Sequence, residues 1–327
     1  MINRVYELYD QGGVIEVARG LERFAHWRWK TQLNNLHKHI VMRRLGGGCH
    51  IFEEDWDNLL VLDACRPDMF DRICWLDGKL ETRISLGPKT PRWMEQNFNG
   101  RNLSDTVYVT ANPQYELNDV DTDFAALYPV WRDAWDDENE TILPKDVVEY
   151  TREAAEEYPN KRLLVHFMQP HYPFIGDLGQ ELSEHSGLEA SRLGAQGEEA
   201  RRYAPTIWKQ LEADEVNKDE VQRAYDENLR LVLEEIEMLV NELDGKTVLT
   251  SDHGNLLGER AFRVERWLPR LSRRYGHPEV YSKALLEVPW FEVPCDKRKE
   301  IIRGVEGRQE AVADEVVKDR LESLGYQ

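Results

Sequence analysis

The chain has 327 residues, 41% of them hydrophobic, and its 61 acidic against 42 basic side chains give a formal net charge of −19. The hydrophobic share supports a sizeable core and excludes global disorder. The length allows one large α/β domain or two ordinary ones, and the charge excludes a general nucleic-acid binder, which needs a positive footprint. No apolar run of about 18 residues occurs, which excludes a membrane-spanning helix.

Residues 1–45 stand apart from the rest. They are net basic, with Arg4, Arg19, Arg23, Arg28, Lys30, Lys38, Arg43 and Arg44 against Glu7, Asp10, Glu16 and Glu22. Val14, Ile15, Val17, Ala18, Leu21 and Phe24 fall near helical spacing ahead of Trp27 and Trp29. Gly46-Gly47-Gly48 then reads as a linker. Residues 1–50 are therefore expected to be a basic helical extension. Either it makes a peripheral contact with an anionic membrane or holds a partner, or it packs on the back of the main domain.

Beyond the linker, short apolar runs alternate with helical stretches. Asn58 to Asp63 reads as a buried strand ending on a carboxylate, and Thr82 to Leu86 as a short strand. Thr90 before Pro91 reads as an N-cap followed by an N1 proline, opening a helix through Trp93 and Met94. Thr106–Thr110 is a strand, 145–157 a helix, and Arg162–Met168 a strand running into Gln169-Pro170-His171-Tyr172-Pro173. The polar stretch near 176–205 reads as an insertion or a flexible loop. A long amphipathic helix covers about 217–243 and ends at Gly245. Lys246–Ser251 is a strand that delivers Asp252-His253-Gly254, and Val288–Val293 is a last strand whose Pro289 predicts an edge position. This alternation predicts an α/β fold with a mainly parallel central sheet sandwiched by helices.

In such sheets functional groups collect at the carboxyl ends of the strands. Three ends here carry Asp63, His171 and the pair Asp252-His253. Carboxylates with an imidazole suit a divalent cation: Zn²⁺ or Mn²⁺, or Mg²⁺ or Ca²⁺ if oxygen dominates. Singly, each residue has an ordinary alternative, a helix cap for the Asp and a structural hydrogen bond for the His. His166, mid-strand, reads as core, and His185 carries no signal.

The combination is less ordinary. Leu60-Val61-Leu62-Asp63-Ala64-Cys65-Arg66 resembles the opening metal-ligand strand of sulfatase-like proteins of the alkaline phosphatase superfamily. Val165 to Phe174, with its His171-Tyr172-Pro173, resembles their substrate-reaching mid-chain segment. Val248 to Glu259, with Asp252-His253-Gly254, resembles their late metal motif. The three motifs stand in the family's order and cover about residues 55–293.

The resemblance implies a catalytic domain over 51–327 and an enzyme that hydrolyses or transfers phosphate esters with one or two divalent metal ions (Zn, Mn, Mg or Ca). It implies Asp63, Thr90, Asp252 and His253 as metal ligands. Gly87-Pro88-Lys89-Thr90-Pro91 resembles the Gly-x-Lys-Thr segment of lipoteichoic-acid-synthase-like members, which makes Thr90 the nucleophile, with Ser85 second and a plain N-cap as the other reading. His171 and His277 would orient substrate or donate a proton; for His277 the alternatives are binding a second metal and a structural turn. Lys89 and Arg66 would hold the ester's anionic oxygens, or be solvated and salt-bridged respectively. Cys65, followed by Arg66-Pro67-Asp68, departs from the sulfatase Cys-x-Pro-x-Arg pattern and reads as a small buried residue. That departure favours phosphate over sulfate esters. The substrate would be a small-molecule, glycan or lipid phosphate ester. The remaining readings are a sulfate-ester hydrolase without formylglycine and a non-catalytic binder of an anionic glycan or lipid head group.

Two expectations concern setting. The opening MINRVYELYDQGG has no apolar signal core, and Cys49, Cys65, Cys74 and Cys295 show neither CxxC pairing nor zinc spacing, which together predict a cytoplasmic protein with reduced thiols. Arg outnumbers Lys about two to one and carboxylates run along the whole chain. This resembles proteins of salt-accumulating archaea, whose acidic surfaces stay hydrated, with an ordinary acidic protein as the alternative.

Overall fold

Strands without a polar break must be covered on both faces, and the most apolar runs of this chain lie at the centre of its sheet. The computed structural model describes residues 36–118, 120–182, 188–197, 205–259 and 274–304. Its strands are β1 (Asn58–Leu62), β2 (Lys79–Ile84), β3 (Arg101–Thr110), β4 (Thr122–Pro129), β5 (Trp135–Asp136), β6 (Thr141–Ile142), β7 (Arg162–Phe167), β8 (Thr247–Thr250), β9 (Leu256–Leu257), β10 (Tyr275–Gly276) and β11 (Glu287–Glu292). The main sheet has the order β2-β11-β8-β1-β7-β3-β4; β5 pairs with β6 and β9 with β10 in two small ribbons. The pairs β8–β1, β1–β7, β7–β3 and β3–β4 are all parallel, and β11 is antiparallel to both its neighbours. The mainly parallel α/β sandwich expected from the sequence is what the chain forms.

The pleat divides the core into two layers. Leu60, Leu62, Leu163, Val165 and Leu249 point to one side, where they meet Phe70 of the helix Pro67–Ile73, Val147 and Val148 of Pro144–Glu157, and Leu229, Val232 and Ile236 of Lys218–Glu242. Leu59, Val61, Leu164 and Val248 point to the other, where Trp93, Met94 and Phe98 of the helix Thr90–Phe98 cover them. Adjacent residues of one strand thus fill opposite layers.

Several local readings shift. The strand expected over Thr82–Leu86 is β2, Lys79–Ile84. The 106–110 strand begins earlier, at Arg101. The 217–243 helix is Lys218–Glu242, N-capped by Asn217, whose side chain accepts from Asp219 N; its C-cap is Leu243, so Gly245 (φ +95°) serves the turn into β8 instead. Pro289 does not mark an edge: β11 lies between β2 and β8. It is tolerated because β8 pairs only with Trp290, Phe291 and Glu292, so Pro289 sits past the end of that ladder.

The N-terminal extension falls outside the described residues as far as residue 35, which includes Trp27 and Trp29, and so does His185; residues 36–44 are helical. That helix packs against the segment around Tyr281. His37 Nε2 shares a 2.8 Å hydrogen bond with Tyr281 O, and Lys38 stands over the Tyr281 ring, four residues beyond His277. All four cysteines are free, Cys65 fully buried. Among the described residues no helix is long and apolar enough to cross a membrane.

Candidate active site

Parallel pairing brings the carboxyl ends of β8, β1, β7 and β3 to one rim. The residues that follow them are Asp252-His253, Asp63, His171 and Asn112. Backbone hydrogen bonds lock the rim: Asp63 N donates to Phe167 O (3.3 Å) and His171 N to Asp63 O (3.2 Å). Just past Asp63 the backbone turns through Ala64 in the left-handed region (φ +60°), a conformation that costs a non-glycine residue of order 1 kcal/mol. Four bonds hold this turn. Ala64 N donates to Asp252 Oδ1 (3.0 Å), Cys65 N to Ser251 Oγ (2.8 Å) and Leu62 O (3.2 Å), and the Tyr225 hydroxyl donates to Ala64 O.

Thr90 opens the helix that covers the other layer. Lys89, not Thr90, occupies the N-cap, and its side chain makes no capping bond. The Thr90 hydroxyl is thereby freed from the capping role read from the sequence, and it faces the rim. Thr90 Oγ1 donates to Asp252 Oδ2 (2.7 Å), and stands 3.4 Å from His253 Nε2 and 3.5 Å from Asp63 Oδ2. His253 Nε2 is 3.3 Å from Asp252 Oδ2 and 3.8 Å from Asp63 Oδ1. A tetrahedral cation with bonds of about 2.0–2.1 Å needs ligand atoms about 3.3 Å apart, so these four side chains outline such a cage.

The hydrogen bonds around the cage leave one atom of each ligand for an ion. Asp252 Oδ1 accepts from Ala64 N and His253 N, leaving Oδ2 inward. His253 Nδ1 donates to Gly254 O (2.7 Å), leaving the Nε2 lone pair inward. Asp63 Oδ2 accepts from Asn112 Nδ2 (2.7 Å), while Asp63 Oδ1 is buried with no hydrogen-bond partner. Two carboxylates that are 1% and 0% exposed, one with an orphaned oxygen, require a compensating positive charge. Burial alone would raise the Asp63 pKa, but the facing imidazoles of His166, His171 and His253 outweigh it, and the carboxyl is held well below its ordinary value of 3.8. The donor set fits a divalent cation.

The glycine of Asp252-His253-Gly254 is required by packing. A Cβ there would stand 2.1 Å from Ala284 O, while Gly254 N donates to Leu285 O (2.8 Å).

Two more imidazoles border the cage. The His277 ring centre lies 4.8 Å from that of His253 and 4.9 Å from that of His171. His171 Nδ1 donates to Tyr172 O, which leaves its Nε2 as an acceptor, and burial holds its pKa below 6.5. Burial, with His253 and His171 nearby, pushes His277 further down, and His277 Nδ1 has no partner. A cleft of about 310 Å³ opens above the cage, lined by Asp63, Lys89, Thr90, Asn112, His171, Tyr172 and His277 among others.

Other sequence candidates fall elsewhere. Arg66 is not among the residues lining the cleft: its guanidinium bonds both oxygens of Asp68 (2.9 Å each), Asn255 O (2.8 Å) and Glu259 Oε1 (2.5 Å), the salt-bridge alternative. Ser85 Oγ donates to Asp252 O and accepts from Gly87 N (3.3 Å), and so shapes the turn before Thr90. Lys89 stands at the cleft wall, ion-paired to Glu279 (3.0 Å). Sequence reasoning missed Asn112, although its place just past a strand end is the same signal that picked out Asp63. It also read His166 as plain core; His166 Nε2 approaches Asp63 Oδ2 at 3.6 Å, and its Nδ1 shares a 3.0 Å hydrogen bond with the Tyr108 hydroxyl.

No family model and no curated protein matches the chain. Among solved structures it is similar to lipooligosaccharide phosphoethanolamine transferase A from Neisseria meningitidis (11% identity, TM-score 0.43, 88% of this chain and 58% of that one). It is similar to the C-terminal periplasmic domain of a phosphoethanolamine transferase from Campylobacter jejuni (12%, 0.43, 72% and 77%). A third is a lipoteichoic acid synthase from Listeria monocytogenes (12%, 0.33, 80% and 72%). The chain thus spans little more than half of the first. At these identities and TM-scores the likeness assigns neither activity nor substrate.

Proposed function

We propose that this chain is a metal-dependent enzyme of the sulfatase-like branch of the alkaline phosphatase superfamily, transferring the phosphoryl group of a small-molecule, glycan or lipid phosphate ester through Thr90. The observation that carries the reading is the convergence of Asp63, Asp252, His253 and the Thr90 hydroxyl, with Asp63 Oδ1 buried and unpaired. The three motifs in family order support it.

Asp63, Asp252 and His253 would hold the cation, with Zn²⁺ or Mn²⁺ suited to a set that includes an imidazole. When bound, a divalent ion lowers the pKa of the nucleophilic hydroxyl and offsets charge on the phosphoryl oxygens. Thr90 Oγ1 would bond to phosphorus as the bond from phosphorus to the leaving oxygen breaks, its hydroxyl proton passing by way of His171 Nε2 to that oxygen, so that an alcohol departs and a phosphothreonine remains. Asn112 keeps Asp63 oriented. His171, neutral and with Nε2 open, accepts the proton of the water or acceptor hydroxyl that resolves the intermediate; His277 orients the ester beside it. Lys89, at the cleft wall, is placed to meet an anionic oxygen.

Purified protein loaded with Zn²⁺ or Mn²⁺ should turn over aryl phosphate or bis-aryl phosphate faster than aryl sulfate. Thr90→Ala should abolish turnover, and mass spectrometry of quenched wild-type enzyme should find the phosphate on Thr90. Full activity in Thr90→Ala, or an intact fold that binds no divalent metal, would overturn the reading.

A further inference from the structure

Asn228 lies in the middle of the helix Lys218–Glu242 and is fully buried, beside core residues Tyr225, Leu229 and Val232. Asparagine is a poor helix former, and a buried amide costs free energy unless its donors and its acceptor are satisfied. Here all of them are spent on one loop. Asn228 Nδ2 donates to Pro170 O (3.2 Å), His171 O (3.0 Å) and Pro173 O (3.2 Å), and its Oδ1 accepts from Ile175 N (3.0 Å).

The loop has few means of ordering itself. Pro170 and Pro173 carry no N–H, and residues 170–174 are buried away from the water that could serve their carbonyls. His171 N is turned to the rim, where it donates to Asp63 O (3.2 Å). One side chain from the long helix thus fixes the path of residues 170–175. That stretch carries His171, whose ring stands at the wall of the cleft with Nε2 open. A leucine at 228 would suit the apolar layer around it and leave three buried carbonyls unpaired.

We infer that Asn228 is a positioning residue, its amide holding residues 170–175 so that His171 is aimed at the leaving oxygen of the ester. The inference rests on the phosphoryl transfer proposed above, in which the Thr90 proton reaches that oxygen by way of His171 Nε2. Asn228 touches neither the cage nor the cleft, so the effect of its loss falls on proton delivery. Proton transfer by a placed side chain contributes about 10²–10⁴-fold, and a misplacement of about 1 Å can cost about 100-fold. Lowered stability follows from the lost hydrogen bonds in any case, so the informative readout is the leaving group.

Metal-loaded wild type, Asn228→Ala and Asn228→Ser, each kept below its melting temperature, would be compared on dinitrophenyl and phenyl esters, supplied as mono- and bis-aryl phosphates. Dinitrophenolate departs without a proton, whereas phenoxide needs one. Asn228→Ala should lose kcat on the phenyl ester by about tenfold or more, stay within about threefold on the dinitrophenyl ester, and keep KM within about twofold. Asn228→Ser retains a hydroxyl and should show the same preference in milder form, which serves if the alanine variant does not fold. In a His171→Ala background, Asn228→Ala should cost no more than about twofold further, because the group it aims is gone. Equal losses on the two esters, or a full additional loss without His171, would overturn the inference and leave the Thr90 chemistry standing. A wild type that turns over neither ester would strike the proposed reaction, and this inference with it.

Discussion

Removing Asn112 tests the site at a residue that holds no ion itself. Asn112 is 3% exposed and its Nδ2 donates to Asp63 Oδ2 at 2.7 Å, the only hydrogen bond from a side-chain amide to that ligand among the described residues. A hydrogen bond to a charged group contributes about 1.5–3 kcal/mol. Asn112 borders the cleft, so water can enter the space left by Asn112→Ala, and the cavity cost is small. Loss of a group that orients a metal ligand typically weakens metal binding by about 10–100-fold, or about 1.4–2.7 kcal/mol. The assay is competition between protein and a chelator of known strength for Zn²⁺, with urea unfolding of the metal-free protein beside it. Metal affinity within about twofold of wild type would refute the claim that Asn112 orients Asp63 for a cation, whatever the stability change.

Gly254→Ala pushes a methyl group to 2.1 Å from a backbone carbonyl whose neighbour, Leu285 O, is fixed by Gly254 N, so unfolding in urea should show a loss of roughly 2–3 kcal/mol; an unchanged midpoint would mean that the loop gives way freely. Arg66→Ala should lower the melting temperature by freeing the Asn255–Glu259 turn and leave KM unaltered, whereas a raised KM at unchanged stability would return Arg66 to the substrate. His171 and His277 have folded pKa values below the unfolded 6.5, so between those values the unfolded chain binds protons that the folded chain does not. Their contribution is complete above 6.5 and fades as pH falls through the folded values; the urea midpoint of metal-free protein should drop on acidification below 6.5, and a flat profile there would contradict their buried, neutral state.

The parts of the fold that were legible in sequence are those governed by near neighbours. β1, β7 and β8 are apolar runs of four to six residues, and the Lys218–Glu242 helix repeats its buried side chains every three or four positions. Asp63, Asp252 and His253 could be picked out because each stands within three residues of the end of such a run, and His171 because it lies four residues past β7 in a His-Tyr-Pro unit. Asn112 follows one too, but asparagine after a strand is so common in turns that its type carries no signal. Pro289 misled for the opposite reason: a proline breaks one ladder bond, and whether that matters depends on where the neighbouring strand stops.

By itself the amino-acid order determined the α/β class, the central strands, the long helix and the residues able to bind a cation, since periodicity and side-chain chemistry are properties of short stretches. Tertiary structure alone decided which of them meet. It put Lys89 rather than Thr90 at the N-cap, so that the Thr90 hydroxyl meets Asp252, drew Arg66 into ion pairs with Asp68 and with Glu259, 193 positions away, and set the basic helix against the loop of His277. Contacts between distant segments depend on strand order and register, and those minimise the energy of the whole core, which no local stretch encodes.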